Sequence, residues 1–247
     1  MVKNPFNPSQ IKTVSLLPDD VDAIVFWTRN ADPIFPGLKE LDQQGFPYIF
    51  LYTITGYGPP LEKNVPSLEK SLKTFKMLSQ RIGPKRVIWR FDPIIYVSGK
   101  AEKWILSLFE KIARSLKNDT QRVIISFLDL YKKVLKKLSE LEKTNDFRVI
   151  DIINKKNIVK KIACGLSEMA DNNGMEIYSC AEKINLEGFG IKPGSCIDGN
   201  YLNKIFGLHL KPIKDKSQRP ECRCTASQDI GKYNTCKHEC IYCYAVK

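Results

Sequence analysis

The sequence predicts an α/β fold: a partial (β/α) barrel of parallel strands, with an irregular, cysteine-rich C-terminal tail folded over its active face. Three observations predict it. Strand-like and helix-like segments alternate through the middle of the chain, the pattern of a parallel sheet. The strand-like runs are apolar almost throughout, as in strands buried on both faces. Polar, chemically loaded residues follow the strands: Thr28-Arg29-Asn30, Thr53 and Thr55, Arg90 and Asp92, Ser126 and Asp129, and Ser179-Cys180 with Glu182. Residues of this kind at C-terminal strand ends are what a TIM-like barrel presents at its active face.

Taken in order, residues 22–27 read as the first strand and 48–54 as the second, which ends at Gly56-Tyr-Gly-Pro-Pro60. A helix follows, with Ser67 as its N-cap, Leu68, Leu72, Phe75, Leu78 and Ile82 on one face, and Gly83-Pro84 as its stop. Residues 86–91 form the third strand, stopped by Asp92-Pro93, and Ile105, Leu108, Phe109, Ile112, Ala113 and Leu116 stripe the next helix. Residues 122–127 form the fourth strand. Val134, Leu135, Leu138 and Leu141 mark a short helix; Ile158, Ile162, Leu166 and Met169 mark another, ended by Asn173-Gly174. Residues 175–180 form the fifth strand. Trp27 and Trp89 read as core fillers, and Cys164, between Ile162 and Leu166, as a core thiol. No glycine-rich phosphate loop follows the first strand, which argues against a dinucleotide-binding sheet. From Glu187 onward periodicity disappears. Roughly 60 residues without a repeat exceed an ordinary loop, and metal ligation can order such a tail where apolar burial cannot. The organisation expected is a barrel over residues 1–186 and a metal-binding segment over 187–247.

A chain of 247 residues that is 43% hydrophobic can bury one large core. Without an apolar run of about 20 residues or an N-terminal signal pattern, the expected location is the cytoplasm, with no membrane partner. Eight cysteines there argue for metal or redox chemistry over disulfides. The net charge of +12 allows nucleic acid, an anionic substrate or an acidic electron donor as partner. Much of it lies on Lys-rich helical stretches such as residues 131–138 and 155–161, where solvated faces are the simpler reading.

The last dozen residues carry the strongest signal. Cys236, Cys240 and Cys243 stand at C-x3-C-x2-C, with Tyr242 just before the third cysteine. A disulfide framework has no need of that asymmetry. A zinc site usually takes four ligands from two knuckles or from cysteine and histidine together; here it would have to recruit His238. Three thiolates on one tight loop suit a cubane iron–sulfur cluster with one iron left without a protein ligand. Cys180, Cys196 and the Cys222-Arg-Cys224 pair make a second set, the right number for an auxiliary [4Fe–4S] cluster or a structural Zn²⁺. Reduced structural thiols, or a redox role for one of them, are the alternatives.

The spacing, with its internal aromatic, resembles the signature of radical S-adenosylmethionine (SAM) enzymes. The resemblance implies a [4Fe–4S] cluster on Cys236, Cys240 and Cys243 whose fourth iron chelates SAM, one-electron cleavage to a 5′-deoxyadenosyl radical, and hydrogen abstraction from a substrate. It implies Tyr242 beside the adenine. In that superfamily the motif normally comes early; its C-terminal position here resembles a narrower bacterial and archaeal domain-of-unknown-function family. The segments that carry this likeness are Asn4-Pro-Phe-Asn-Pro8, Val25-Phe-Trp-Thr-Arg-Asn30, Ile88-Trp-Arg-Phe-Asp-Pro-Ile94, Ile125-Ser-Phe-Leu-Asp-Leu-Tyr131, Ser179-Cys-Ala-Glu182, Gly194-Ser-Cys-Ile-Asp198 and Asp229-Ile-Gly-Lys-Tyr-Asn-Thr-Cys236. Typical members of that family begin earlier with one more strand, so one open sheet edge is expected here.

Within this frame Arg90 and Asp92, two residues apart and so on one face, are candidates for the SAM carboxylate and for the ribose or substrate. A rim ion pair is the plainer reading. Glu182 is a candidate for the SAM amine or ribose, or a rim carboxylate. Thr53 and Thr55 are candidates for cofactor contact or simply good strand residues. Asp229 and Tyr233 are candidates for shaping the cysteine loop. His209 stands alone. The partners implied are a flavodoxin- or ferredoxin-like electron donor and an unidentified substrate; the ending also resembles the spore photoproduct lyase-like branch, which keeps nucleic acid among the substrates. A non-enzymatic zinc- or iron–sulfur-binding protein, as clasp or electron carrier, is the rival reading.

Overall fold

The computed structural model describes residues 2–3, 9, 11–243 and 245. Residues 4–8, which belong to a segment quoted above, and Tyr244, beside the last cysteine, lie outside the described residues. A two-residue antiparallel pair, β1 (Val2–Lys3) and β2 (Ile11–Lys12), precedes the main sheet. That sheet has six strands: β3 (Ile24–Thr28), β4 (Tyr48–Thr53), β5 (Val87–Ile94), β6 (Arg122–Phe127), β7 (Glu176–Cys180) and β8 (Lys192–Gly194). Every neighbouring pair is parallel, and each strand lies beside its predecessor in the chain. Parallel neighbours need crossovers, mostly helical. These are α1 (Phe35–Gln43), α2 (Leu68–Ile82), α3 (Ala101–Ser115), α4 (Lys132–Glu142) and α5 (Lys156–Asn172); α6 (Gly199–Phe206) follows the sheet. Ser67 caps α2, its hydroxyl accepting from the Lys70 N–H at 3.2 Å. Among the described residues β3 and β8 are the sheet's two edges and do not pair with each other.

The apolar strand runs are explained by burial on both faces. Along β4, Tyr48, Phe50 and Tyr52 join the core beneath α1, α2, α3 and α5, while Ile49 and Leu51 point the other way. Val87, Trp89 and Phe91 of β5, with Val123, Ile125 and Phe127 of β6, repeat the helix-side pattern; Ile88 and Ile124 repeat the opposite one. The opposite face is covered by the C-terminal segment, through Leu202, Cys196, Cys222 and Cys224, with Phe206, Leu208 and Leu210 at its border.

Four sequence expectations need correction. The sheet has six strands rather than five: Lys192-Pro-Gly194 is short and carries a proline and a glycine, so it has no strand signature. It pairs with β7 because Gly194 leaves room; a Cβ there would meet the Tyr178 Cβ at 2.7 Å. Trp27 is 51% exposed, not core, since β3 is an edge strand with half-exposed side chains. Cys164 is exposed: α5 buries Val159, Ile162, Ala163, Leu166 and Ala170, and Cys164 falls outside that stripe. Leu135 is likewise exposed on α4, which buries Val134 and Leu138. Trp89 is buried, with its indole N–H donating to the Ile54 carbonyl at 2.9 Å. Among the described residues no helix is long and apolar enough to cross a membrane.

Candidate functional site

The loop that carries Cys236, Cys240 and Cys243 is seated on residues 61–64, just beyond the C-terminal end of β4. Cys240 and Glu62 form an antiparallel bridge, and the Ile241 N–H donates to the Leu61 carbonyl at 3.0 Å. The Asn64 N–H donates to the His238 carbonyl at 3.2 Å, and its side-chain amide donates to the Lys237 carbonyl at 3.2 Å and to Glu239 Oε2 at 3.1 Å. The His238 ring nitrogen Nδ1 lies 3.0 Å from the Asn64 carbonyl oxygen. Glu239 adopts a left-handed φ of 51°, and the Cys243 N–H donates to the Cys240 carbonyl at 3.0 Å, so the chain turns tightly between the cysteines. Cys240 is buried, Cys243 half-buried and Cys236 exposed. Asp229 and Tyr233 stand near this loop: burial, then the charges of Asp229 and Cys243, raise the Tyr233 hydroxyl pKa.

Beneath the loop lies a buried polar quartet. Arg29, at the end of β3, forms an ion pair with Glu62 at 2.8 Å and reaches Thr55 Oγ1 at 3.4 Å. The Tyr242 hydroxyl and the Thr55 hydroxyl both donate to Glu62, and Arg29 donates to the Tyr242 oxygen. Burial acts to lower the Arg29 pKa, but its interactions with Tyr242, Glu62 and Cys240 outweigh it and raise the pKa. Burial pushes the Cys240 thiol up to about 11; Arg29 pulls it down, while Glu62, Cys243 and Cys236 push it further up. Burial also raises the Tyr242 hydroxyl.

A second group occupies the ends of β5, β6 and β7. Arg90 and Asp92 form an ion pair, Ser126 Oγ donates to Asp92 Oδ1 at 2.6 Å, and the Arg90 guanidinium lies 5.5 Å from the Trp27 ring centroid. Thr53 is buried and in register with Arg90 across the β4–β5 pair. Ala181 takes a left-handed φ of 52°, and beyond it Glu182 Oε1 accepts from the Phe127 N–H at 2.6 Å. Burial, helped by the neighbouring charges of Asp129 and Asp92, pushes the Glu182 carboxyl up to about 7; the Phe127 hydrogen bond and Arg219 act in the other direction. Arg219, from the C-terminal segment, pairs with Asp129.

Against this group lie the other sheet-side cysteines. Cys180 ends β7, Cys196 follows β8, and Cys222 and Cys224 arrive from the C-terminal segment. The Cys180 and Cys196 sulfurs are 3.1 Å apart, and Cys224 exchanges hydrogen bonds with Cys180, Cys196 and Cys222. All eight cysteines are free. Hydrogen bonds from Cys180 and Cys196, aided by the Ile197 N–H and Cys222, bring Cys224 down to about 2 despite its burial. Cys180 is raised, mainly by its bonds to Cys196 and Cys224. Among the described residues, no group of three or more His, Cys, Asp or Glu side chains is arranged, as it stands, to hold a metal ion.

The nominated residues thus fall into two assemblies. Cys236, Cys240, Cys243, Tyr242 and Thr55 meet at β3 and β4; Arg90, Asp92, Glu182, Cys180, Cys196, Cys222 and Cys224 meet at β5 to β7, with Thr53 on the strand between. Sequence reasoning missed Glu62, the hub of the first assembly, and gave no part to Arg29 beyond its place in a polar strand end. A surface cavity of about 340 Å³, lined by Glu110, Arg114, Lys117, Met169, Asn172 and Asn173, lies elsewhere and contains none of these groups. The family model for a domain of unknown function, DUF1848, matches residues 1–245, and the chain belongs to that family. No curated protein and no solved structure matches it.

Proposed function

We propose that this DUF1848 protein is a radical SAM-type iron–sulfur enzyme in which Cys236, Cys240 and Cys243 hold a [4Fe–4S] cluster. The observation that carries the reading is the seat of the cysteine loop. Three thiols lie on one short stretch seated on residues 61–64, with Cys240 buried beside the cation of Arg29. The donor set fits the group: three soft thiolates suit iron–sulfur chemistry and leave one iron without a protein ligand. When bound, the cluster supplies the electron that cleaves SAM reductively, for hydrogen abstraction from the substrate.

The chain's own residues bind, orient and exclude water. Arg29 offsets negative charge at the thiolates, and Glu62 fixes both Arg29 and the Tyr242 ring, which walls the cofactor side. Thr53 and Thr55 lie along the same strand end. Arg90 receives the SAM carboxylate, and Asp92 a ribose or substrate hydroxyl. Glu182, with a pKa of about 7 and one oxygen held by the Phe127 N–H, can give or take a proton at its other oxygen near neutrality. Half-exposed Trp27 offers an aromatic face beside Arg90.

The architecture that goes with this reading is a six-stranded open partial barrel whose mouth is covered by the cysteine-rich tail. The protein works in the cytoplasm with a reducing donor of the flavodoxin or ferredoxin kind. Its charge of +12 favours an anionic substrate, nucleic acid included. The test is anaerobic reconstitution with iron and sulfide, then incubation with SAM and dithionite. The reading expects 5′-deoxyadenosine by mass spectrometry, and none from the Cys240→Ala variant. Bound zinc with no cluster, or a cluster that leaves SAM intact, overturns it.

A further inference from the structure

We propose that Cys180, Cys196, Cys222 and Cys224 form a closed, mononuclear tetrathiolate site for a zinc-class divalent ion, distinct from the C-terminal triplet and independent of the iron–sulfur reading. The four thiols come from three separate stretches of chain and converge on the sheet face opposite α1, α2, α3 and α5. Cys196, Cys222 and Cys224 are buried. A thiol is a weak hydrogen-bond partner, so packing alone gives little reason to gather four sulfurs at one point.

The spacing selects among the chemistries. A disulfide needs about 2.05 Å between sulfurs, and the Cys180 and Cys196 sulfurs stand 3.1 Å apart. A tetrahedral zinc with Zn–S bonds near 2.3 Å sets its sulfurs about 3.8 Å apart. A cubane binds each thiolate through a different iron and holds them much farther apart than that. The Cys180–Cys196 separation is therefore closest to the mononuclear edge length. As it stands the Cys180–Cys196 pair is tighter than a zinc edge, and the described residues hold no ready metal-ligating group; opening that pair by roughly 0.7 Å would match the edge. Cys224 already touches the other three, as one vertex of a tetrahedron must.

The surroundings match a metal thiolate. The Ile197 N–H donates to Cys224 Sγ at 3.4 Å, the outer contact that orients a ligating sulfur. Thr225 returns the tie, with its N–H on the Ile197 carbonyl at 2.8 Å and its hydroxyl accepting from the Gly199 N–H at 3.0 Å. Four thiolates and a divalent ion leave a net charge of about −2. Arg90 lies close enough to act on Cys196, and Arg219 close enough to act on Cys180 and Cys222. All four protein positions are filled, so the ion has no open coordination for substrate. Its work is to clamp the C-terminal segment onto β7 and β8, beside Arg90, Asp92 and Glu182.

The experiment uses the full chain carrying Cys236→Ala, Cys240→Ala and Cys243→Ala, purified anaerobically, freed of metal and titrated with Co²⁺. The proposal expects about one Co²⁺ per chain, with the visible bands of a tetrahedral tetrathiolate, displaced by Zn²⁺ and lost on adding Cys224→Ser. Should the triple variant fold poorly, zinc is counted in the otherwise wild-type chain, where Cys224→Ser must remove about one equivalent. A Cys180–Cys196 disulfide, about four irons retained on the triple variant, or no stoichiometric metal in either chain overturns it. A wild-type protein that binds this ion but ignores SAM defeats only the proposed activity.

Discussion

The two cysteine assemblies are built in opposite ways. The triplet sits on one short loop near the chain end, with Cys236 exposed, and it meets the rest of the molecule through residues 61–64 and the buried Arg29–Glu62–Tyr242 group. The cysteine quartet, Cys180, Cys196, Cys222 and Cys224, is drawn from distant stretches and packed between the sheet and the C-terminal segment, with Cys224 touching the other three. Three ligands on one loop would leave a coordination position open; four from separate segments would close it and cross-link the chain. The difference teaches that cysteine count does not assign chemistry: on the proposed reading one assembly would present a cluster and the other would fasten the fold.

The sharpest way to break this contrast is to remove each set in turn. Cys236→Ala, Cys240→Ala and Cys243→Ala together should abolish 5′-deoxyadenosine formation yet move the melting temperature by less than about 4 °C. Cys224→Ser should instead lower the melting temperature by about 5–10 °C, since metal-binding energy is folding energy at a cross-linking site. Calorimetry and product analysis on the same samples check both; equal thermal effects would erase the distinction.

Next in size is the seat of the triplet. Glu62→Ala leaves Arg29 buried without its carboxylate and should cost about 3–5 kcal/mol in denaturant unfolding. Tyr242→Phe removes one donor to Glu62 and should cost about 1–3 kcal/mol, while the metal content of the quartet stays unchanged. If Tyr242→Phe instead emptied the quartet, the two assemblies would not be separate.

The smallest effect serves as a reference far from both. Burial acts to raise the Asp42 carboxyl, but hydrogen bonds from Tyr48 and Arg81 outweigh it and hold it below the ordinary range. A depressed carboxylate adds stability above its unfolded pKa and loses it as pH falls through the folded value, here below about pH 4. The group is a third exposed, so Asp42→Asn should change stability by at most about 0.5 kcal/mol at neutral pH. A pH titration of unfolding should show this acid limb unaltered by substitution in either cysteine set.

Much of the sheet was legible because burial on both faces writes apolar runs. Residues 122–127 were read with the same bounds that β6 shows. β8 was not legible: three residues with a proline and a glycine become a strand only through β7 and the space at Gly194. The triplet could be nominated from its spacing and its internal aromatic. Its seat was not, because Glu62 lies in an aperiodic loop and meets Tyr242 across 180 residues of sequence. The quartet was legible as a number of thiols, but its grouping depends on the unread strand, which sets Cys180 opposite Gly194 and so brings Cys196 alongside. Trp27 and Cys164 were misread for one reason: apolar neighbours in sequence do not reveal an edge strand or the exposed side of a helix.

The most direct test of the account is electron paramagnetic resonance of the reconstituted, dithionite-reduced protein with and without SAM. The account predicts a [4Fe–4S] signal that changes when SAM is added, disappears with Cys240→Ala and persists with Cys224→Ser. A signal indifferent to SAM, or one that follows Cys224 rather than Cys240, would contradict it.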